Sequence, residues 1–177
     1  MGHPDEDKTC ILACIQKTER MKITLLAIGR TEEEYLRSGM AIYMDRLKRY
    51  ISFSTWELPA LKHRNKINEA EQMKREGVMI LNGLGKADKL FLLDERGMEY
   101  DSVMFAKFLQ GKMNESLKSI VFAVGGPYGF SEDVRERANG MISLSKMTFS
   151  HQMVRLFFVE QLYRAMTILK GEPYHHE

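Results

Sequence analysis

The chain has 177 residues, 44% of them hydrophobic and 28% charged, with a formal charge of +2. That length can bury one substantial core, no apolar run approaches the ~20 residues that a bilayer span needs, and so small a charge implies no nucleic-acid partner by itself. The only cysteines, Cys10 and Cys14, lie in the first twenty residues. A disulfide framework or a four-ligand zinc site is therefore not expected, and the chain reads as a cytoplasmic protein.

Residues 1–20 are polar, of mixed charge and without a sustained period. They read as a non-native or disordered extension, with Met21 as the natural start of a single domain over 21–177. From Met21 onward, strand and helix patterns alternate. Ile23 to Ile28 is an apolar run ended by Gly29. Thr31 and Glu34 have capping-box spacing, and the helix after them would place Tyr35, Ile42, Tyr43 and Leu47 near one face. Ile51 to Leu58 is rich in β-formers and stops at Pro59. A basic loop, Lys62 to Lys66, follows; it is either a contact for a nucleic-acid backbone or a solvated loop. Asn68 and Glu71 open a helix to about Asn82.

Lys89 to Asp94 is a continuous apolar strand followed by the turn Glu95-Arg96-Gly97. Asp101 can cap a helix carrying Val103, Phe105, Phe108 and Leu109. Ser119 to Val124 is a second buried-type strand. Ser131 can cap a short helix, Met141 to Leu144 makes a last strand, and a final helix runs from about His151 to Leu169 with Gly171 as its C-terminal cap. Strands alternating with helices, and apolar rather than alternating in pattern, predict an α/β protein with a mostly parallel sheet flanked by helices. The last helix is apolar nearly all round, so it needs partners on several sides. The sheet supplies one, and a second copy of the chain supplies the other most simply, which predicts a homodimer.

Gly125-Gly126-Pro127-Tyr128-Gly129 leaves a buried strand and precedes a helix. It matches neither the dinucleotide fingerprint nor a P-loop, so it reads equally as a tight turn or as a ligand loop. The Leu144 to Phe149 segment leaves the last strand with exposed backbone groups that could read a base edge, or is only a loop. His151 and Arg155, at i and i+4, share a face near the start of the last helix. Cations work against the dipole there, which points either to binding of a phosphate or electron-rich base, or to a solvated first turn. Glu160 and Arg164 read as a structural pair. His175 and His176 lack the neighbours of a metal site, and no metal is expected.

The strand with GGPYG, then SLSKMTFSHQMVRLFFVEQLYRA, then GEPYHH at the chain end, together with the opening MKITLLAIGR and the LLDERG turn, resembles the RlmH family. These are ribosomal RNA large-subunit pseudouridine N3-methyltransferases of the SPOUT superfamily. The resemblance covers Met21 to Glu177 and implies an α/β fold with a C-terminal trefoil knot, S-adenosyl-L-methionine as cofactor, a homodimer, and the assembled ribosome with its 23S rRNA as substrate. By matching motif it implies a cofactor pocket at Leu93, Gly125, Gly126, Leu144, Ser145, Lys146, Met147, Thr148 and Phe149. It also implies catalytic or substrate-side roles for His151, Arg155, Tyr174 and His176. Two positions depart from the family pattern: Ser150 stands where Pro is common, and His176 where Arg or Lys is common. A non-catalytic RNA- or ribosome-binding module of the same fold is the alternative. A small-molecule enzyme that uses GGPYG for phosphate ranks last.

Overall fold

The computed structural model describes residues 21–61 and 67–175. The N-terminal extension, the basic loop Lys62 to Lys66, and His176 lie outside the described residues. Ten elements alternate along the chain: β1 (Lys22–Ile28), α1 (Glu34–Leu47), β2 (Ser52–Leu58), α2 (Glu69–Gly83), β3 (Lys89–Glu99), α3 (Ser102–Asn114), β4 (Ser119–Val124), α4 (Glu132–Arg137), β5 (Gly140–Ser143) and α5 (Met153–Lys170). The sheet order is β2-β1-β4-β3-β5, and every strand pair in it is parallel.

The strands carry apolar residues on both faces because helices cover both. One face of the sheet, with Ile23, Leu25 and Phe122, packs against Met40 and Leu47 of α1, Phe105 and Leu109 of α3, and Phe158 and Leu162 of α5. The other face, with Leu26, Ile28, Leu90 and Ala123, is closed by Ile80 of α2 and Val134 of α4. At the centre of the first layer the Phe158 ring lies 4.7 Å from Phe122 and 6.4 Å from Phe105. α5 is thus seated on the sheet between α1 and α3. Gly171 ends it in the left-handed conformation, φ 65°, as a C-terminal cap should.

Asn68 and Asp101 cap α2 and α3 as their spacing predicts, their side chains accepting from Glu71 N and Met104 N. Other local readings are corrected. Thr31 does not open α1; the helix starts at Glu34, with Glu33 at its N-cap and no side-chain cap bond. Thr31 instead is buried, and its amide and hydroxyl both donate to Glu57 Oε1, at 2.9 and 3.0 Å. The core face of α1 is Leu36, Met40 and Leu47, while Tyr35 and Ile42 are 61% and 54% exposed. Ser131 occupies the N-cap of α4, but its hydroxyl makes no cap bond.

β3 does not turn at Glu95. It bulges after Leu93 and continues to Glu99, so that Ile142 of β5 is paired with both Leu93 and Met98. The outer arm of β3 presses on β5 so closely that a Cβ on Gly97 would lie 2.5 Å from Ile142 N and Met141 C. Only a residue without a side chain permits that approach.

Candidate active site

A cleft of about 500 Å³ opens at the carboxyl ends of β3, β4 and β5. This is the usual ligand position in an open α/β sheet. Leu93 and Asp94 come from β3, Gly125 to Phe130 from the segment after β4, Ser143 from the end of β5, Leu144, Ser145 and Met147 to His151 from the segment between β5 and α5, and Val154 from the first turn of α5. Eight of the nine residues expected around a cofactor, Leu93, Gly125, Gly126, Leu144, Ser145, Met147, Thr148 and Phe149, therefore line one cavity. Lys146 does not; it is exposed, with its ammonium 3.7 Å from Glu99.

The two readings of GGPYG prove compatible. Gly129 N donates to Gly126 O at 3.1 Å, closing a tight turn, and the same five residues wall the cleft. A Cβ on Gly126 would fall 2.2 Å from Glu76 Oε2, and one on Gly125 would fall 2.9 Å from Gly129 O. Glycine at 126 lets the turn settle against a buried carboxylate, which also accepts from Gln72 Nε2 at 2.9 Å. The loop after β5 braces itself: the Ser143 hydroxyl donates to Ser145 O, Met147 N donates to Ser145 Oγ, and Thr148 Oγ1 donates to Glu95. Ser150 brings a hydroxyl in place of the ring that Pro would bring. It takes Met153 N on its hydroxyl at 3.2 Å and Val154 N on its carbonyl at 3.1 Å, and so caps the start of α5.

Asp94 is a site residue that the sequence did not single out. Its side chain is 7% exposed. It accepts from Arg135 at 2.9 Å and from both the amide and Nε of Arg96, at 3.0 and 3.1 Å. Burial pushes its carboxyl upward, but the hydrogen bonds from Arg96 and Arg135 outweigh that and hold it below the usual carboxylate value. The only hint in sequence was position, an acid ending the apolar run of β3.

His151 lies on the cleft wall; Arg155 does not. Arg155 is 1% exposed and points toward the end of β1. Its guanidinium donates to Ile28 O at 2.7 Å, Gly29 O at 2.9 Å, Thr31 Oγ1 at 3.1 Å and His151 O at 3.1 Å, with Glu57 at 3.6 Å. Arg155 is therefore not a solvated cation of the first turn. Burial lowers its basicity, opposed by the carboxylates of Glu57 and Glu32, and guanidinium remains a cation throughout the physiological range. Beside it Gln152 exchanges hydrogen bonds with Glu32 N and Arg30 O. The start of α5 and the loop after β1 are thus tied into one unit.

Tyr174 belongs to a second cluster. Its phenol donates to Glu160 Oε1 at 3.1 Å and meets Tyr43 Oη at 3.5 Å; its ring packs 4.8 Å from Tyr163, with the Arg164 guanidinium 4.7 Å from the ring centre. Glu160 and Arg164 form the expected pair, 2.6 Å apart, and this pair anchors the chain end. Burial, then the bonds to Tyr43 and Glu160, push the Tyr174 phenol well above its usual value. From Met153 to Tyr163, α5 rises roughly 15 Å. One chain therefore does not bring Tyr174 to His151.

Residues 21–175 match the family described as "Predicted SPOUT methyltransferase". A protein of Christiangramia forsetii named "Ribosomal RNA large subunit methyltransferase H" is 53% identical over 156 residues, 88% of this chain and 99% of that one. Proteins of the same name from Parabacteroides distasonis and Bacteroides thetaiotaomicron are each 52% identical over 157 residues, 89% of this chain and the whole of theirs. With half its residues shared along nearly the whole of such relatives, the chain belongs to the SPOUT methyltransferases, in their RlmH family.

Proposed function

We propose that the chain methylates N3 of a pseudouridine in 23S ribosomal RNA, using S-adenosyl-L-methionine and acting on the assembled ribosome as a cytoplasmic homodimer. One observation carries the reading: segments far apart in sequence, those at Leu93, Gly125–Gly126 and Leu144–Phe149, converge on one cleft in a chain about half identical to proteins named for large-subunit rRNA methylation. The residues present fit the cofactor. A cleft of about 500 Å³ suits a ligand of that size. Leu93, Leu144, Phe149 and Val154 offer apolar walls for an adenine, and the backbone around Gly125 and Gly126 can be approached closely. The bound cofactor supplies an electrophilic methyl on a sulfonium. The C-terminal trefoil knot belongs to this reading, and the outer arm of β3 lying across β5 at Gly97 supports it.

The N3 imide is a poor nucleophile until it loses its proton. His151 stands in the cleft wall, where an imidazole can hold that proton or hydrogen-bond the anion left behind. With the cofactor held there, N3 would take the methyl with its freed lone pair and the carbon–sulfur bonding pair would stay on sulfur. Arg155 acts one step back: through His151 O and the carbonyls of Ile28 and Gly29 it fixes the start of α5 against β1. Alignment of nucleophile and methyl supplies much of the acceleration in such a transfer, so a rigid α5 start matters.

The dimer brings the two clusters together. Tyr35 and Ile42 lie exposed along the α1 side of the α1–α5 seam, where Tyr35 Oη reaches Met153 Sδ at 3.9 Å. Phe157, one turn beyond Met153, is exposed too and packs on Phe149. A second copy covering this strip buries it and can carry its own Tyr174 end toward this chain's His151. Sedimentation of the wild type and of Phe157→Asp tests this, with a dimer expected for the first and a weakened one for the second; a wild-type monomer at micromolar concentration refutes it. Activity is tested with labelled cofactor on ribosomes from a strain lacking the protein. Label should enter 23S rRNA of ribosomes and much less a protein-free hairpin. Absence of cofactor binding at millimolar concentration would point to the non-catalytic module instead.

A further inference from the structure

We infer that Tyr128 is a stacking platform for an unpaired base of the RNA substrate, set on the lip of the cofactor cleft. The inference rests on reading that cleft as the site of an RNA methyltransferase. Tyr128 lines the cleft, yet it is 44% exposed. An aromatic ring open at the mouth of a ligand site can cover a planar group, and covering it removes apolar area from water.

The ring is presented by a stiff support. Pro127 fixes φ on one side of Tyr128. On the other, Gly129 adopts φ +81°, a conformation that side chains disfavour, and its amide closes the turn onto Gly126 O at 3.1 Å. Beneath the turn, Gly126 rests on the Glu76 carboxylate with no room for a Cβ. Presenting the ring in this way costs little backbone entropy when a base arrives.

The charges around it argue for a base rather than a phosphate. Asp94, Glu95 and Arg96 line this side of the cleft, and Arg135 behind them pairs with Asp94. With two carboxylates matched by two guanidiniums, these residues offer no surplus of cations for the RNA backbone. What this side of the cleft offers is a π-face at Tyr128 and a planar guanidinium at Arg96, both of which stack on bases whatever their identity. Met147, on the other loop lining the cleft and 73% exposed, gives a base a second apolar surface. The interior walls at Leu93, Gly125 and Leu144 are left for the cofactor, while Tyr128 stands outside them, where the second substrate approaches.

The test compares wild type, Tyr128→Ala and Tyr128→Phe. Ribosome affinity is measured by co-sedimentation with S-adenosylhomocysteine present, so that nothing reacts, and cofactor affinity by calorimetry without ribosomes. The Ala variant should fold normally, its side chain being exposed. It should bind ribosomes roughly ten-fold more weakly, as expected for loss of one base stack. Its cofactor affinity should stay within about two-fold, and Phe, which keeps the ring, should restore ribosome binding. Unchanged ribosome affinity in the Ala variant overturns the inference. So does a parallel loss of cofactor affinity, which would make the ring a cofactor wall. Failure of the wild type to methylate ribosomes strikes instead at the proposed reaction, and the binding comparison still decides the role of Tyr128.

Discussion

Replacing Arg155 with alanine separates a positioning role from a direct catalytic one, and the structure sets the size of the effect. Four acceptors lose a charged donor: Ile28 O, Gly29 O, Thr31 Oγ1 and His151 O. Gly29 and His151 are only partly buried and can turn to water. Ile28 and Thr31 are buried, and each stranded acceptor costs about 1–3 kcal/mol. The Glu57 partner is exposed enough to rehydrate, so its lost ion pair adds little. Two such acceptors cost about 2–6 kcal/mol, a span that brackets the ~3–5 kcal/mol seen when a buried charged partner is deleted, and the whole change is expected in that narrower range. In a domain of this size each kcal/mol moves Tm by roughly 2–4 °C. Thermal unfolding followed by circular dichroism should therefore show a fall of roughly 6–20 °C, alongside loss of ribosome methylation. A variant that melts within about 2 °C of wild type yet no longer methylates would refute this reasoning, because the guanidinium would then be acting on substrate and not on the fold.

Three other outcomes follow from the same contacts. Gly126→Ala drives a Cβ to 2.2 Å from Glu76 Oε2; overpacking of that kind costs about 1–3 kcal/mol, and calorimetry should show cofactor affinity reduced at least ten-fold. Ser150→Ala removes the oxygen that accepts Met153 N and should cost about 1 kcal/mol in urea unfolding, whereas an unchanged midpoint would mean the cap contributes nothing. Asp94→Asn tests a pH dependence. The wild-type carboxyl is depressed by Arg96 and Arg135 in the folded state, so its stabilisation is present above the unfolded value of ~3.9 and is lost as pH falls through the lower folded value. Urea midpoints of wild type and variant should differ at pH 7, and the difference should shrink progressively as pH falls below the unfolded value of ~3.9; a constant difference contradicts the pairing.

The layered α/β fold was legible because its signals are local. The runs Ile23–Ile28 and Ser119–Val124 are too apolar to have a wet face, and Asn68 and Asp101 mark helix starts by side-chain chemistry alone. The capping reading failed at Thr31 for a non-local reason: its hydroxyl is claimed by Glu57, from a neighbouring strand, and by Arg155, from a helix 124 residues later. Nothing within a window around Thr31 announces either partner. Asp94 went unremarked on the same ground, since its meaning depends on Arg135, 41 residues on. The bulge after Leu93 was likewise read as a turn, because Glu95-Arg96-Gly97 carries turn chemistry; the pairing that keeps it in the sheet comes from β5.

Residue type and spacing mark Arg155, and the structure buries it against the end of β1, outside the cleft lining. Next to the helix start, a cation at i+4 from His151 runs against the dipole. The compensation is not a ligand anion but the carbonyl ends of β1, whose partial negative charges converge on the guanidinium. The mismatch at the start of α5 is settled inside the protein, so His151 is left as the polar group of that helix face that meets the cleft. Tyr174 is not beside it, because α5 holds the Tyr174 cluster roughly 15 Å away along its axis. A rigid helix cannot fold its own end back to its start. If Tyr174 serves the reaction, it serves another chain's cleft, and in the proposed dimer that chain lies along the exposed strip of Tyr35 and Ile42 on α1 and Phe157 on α5.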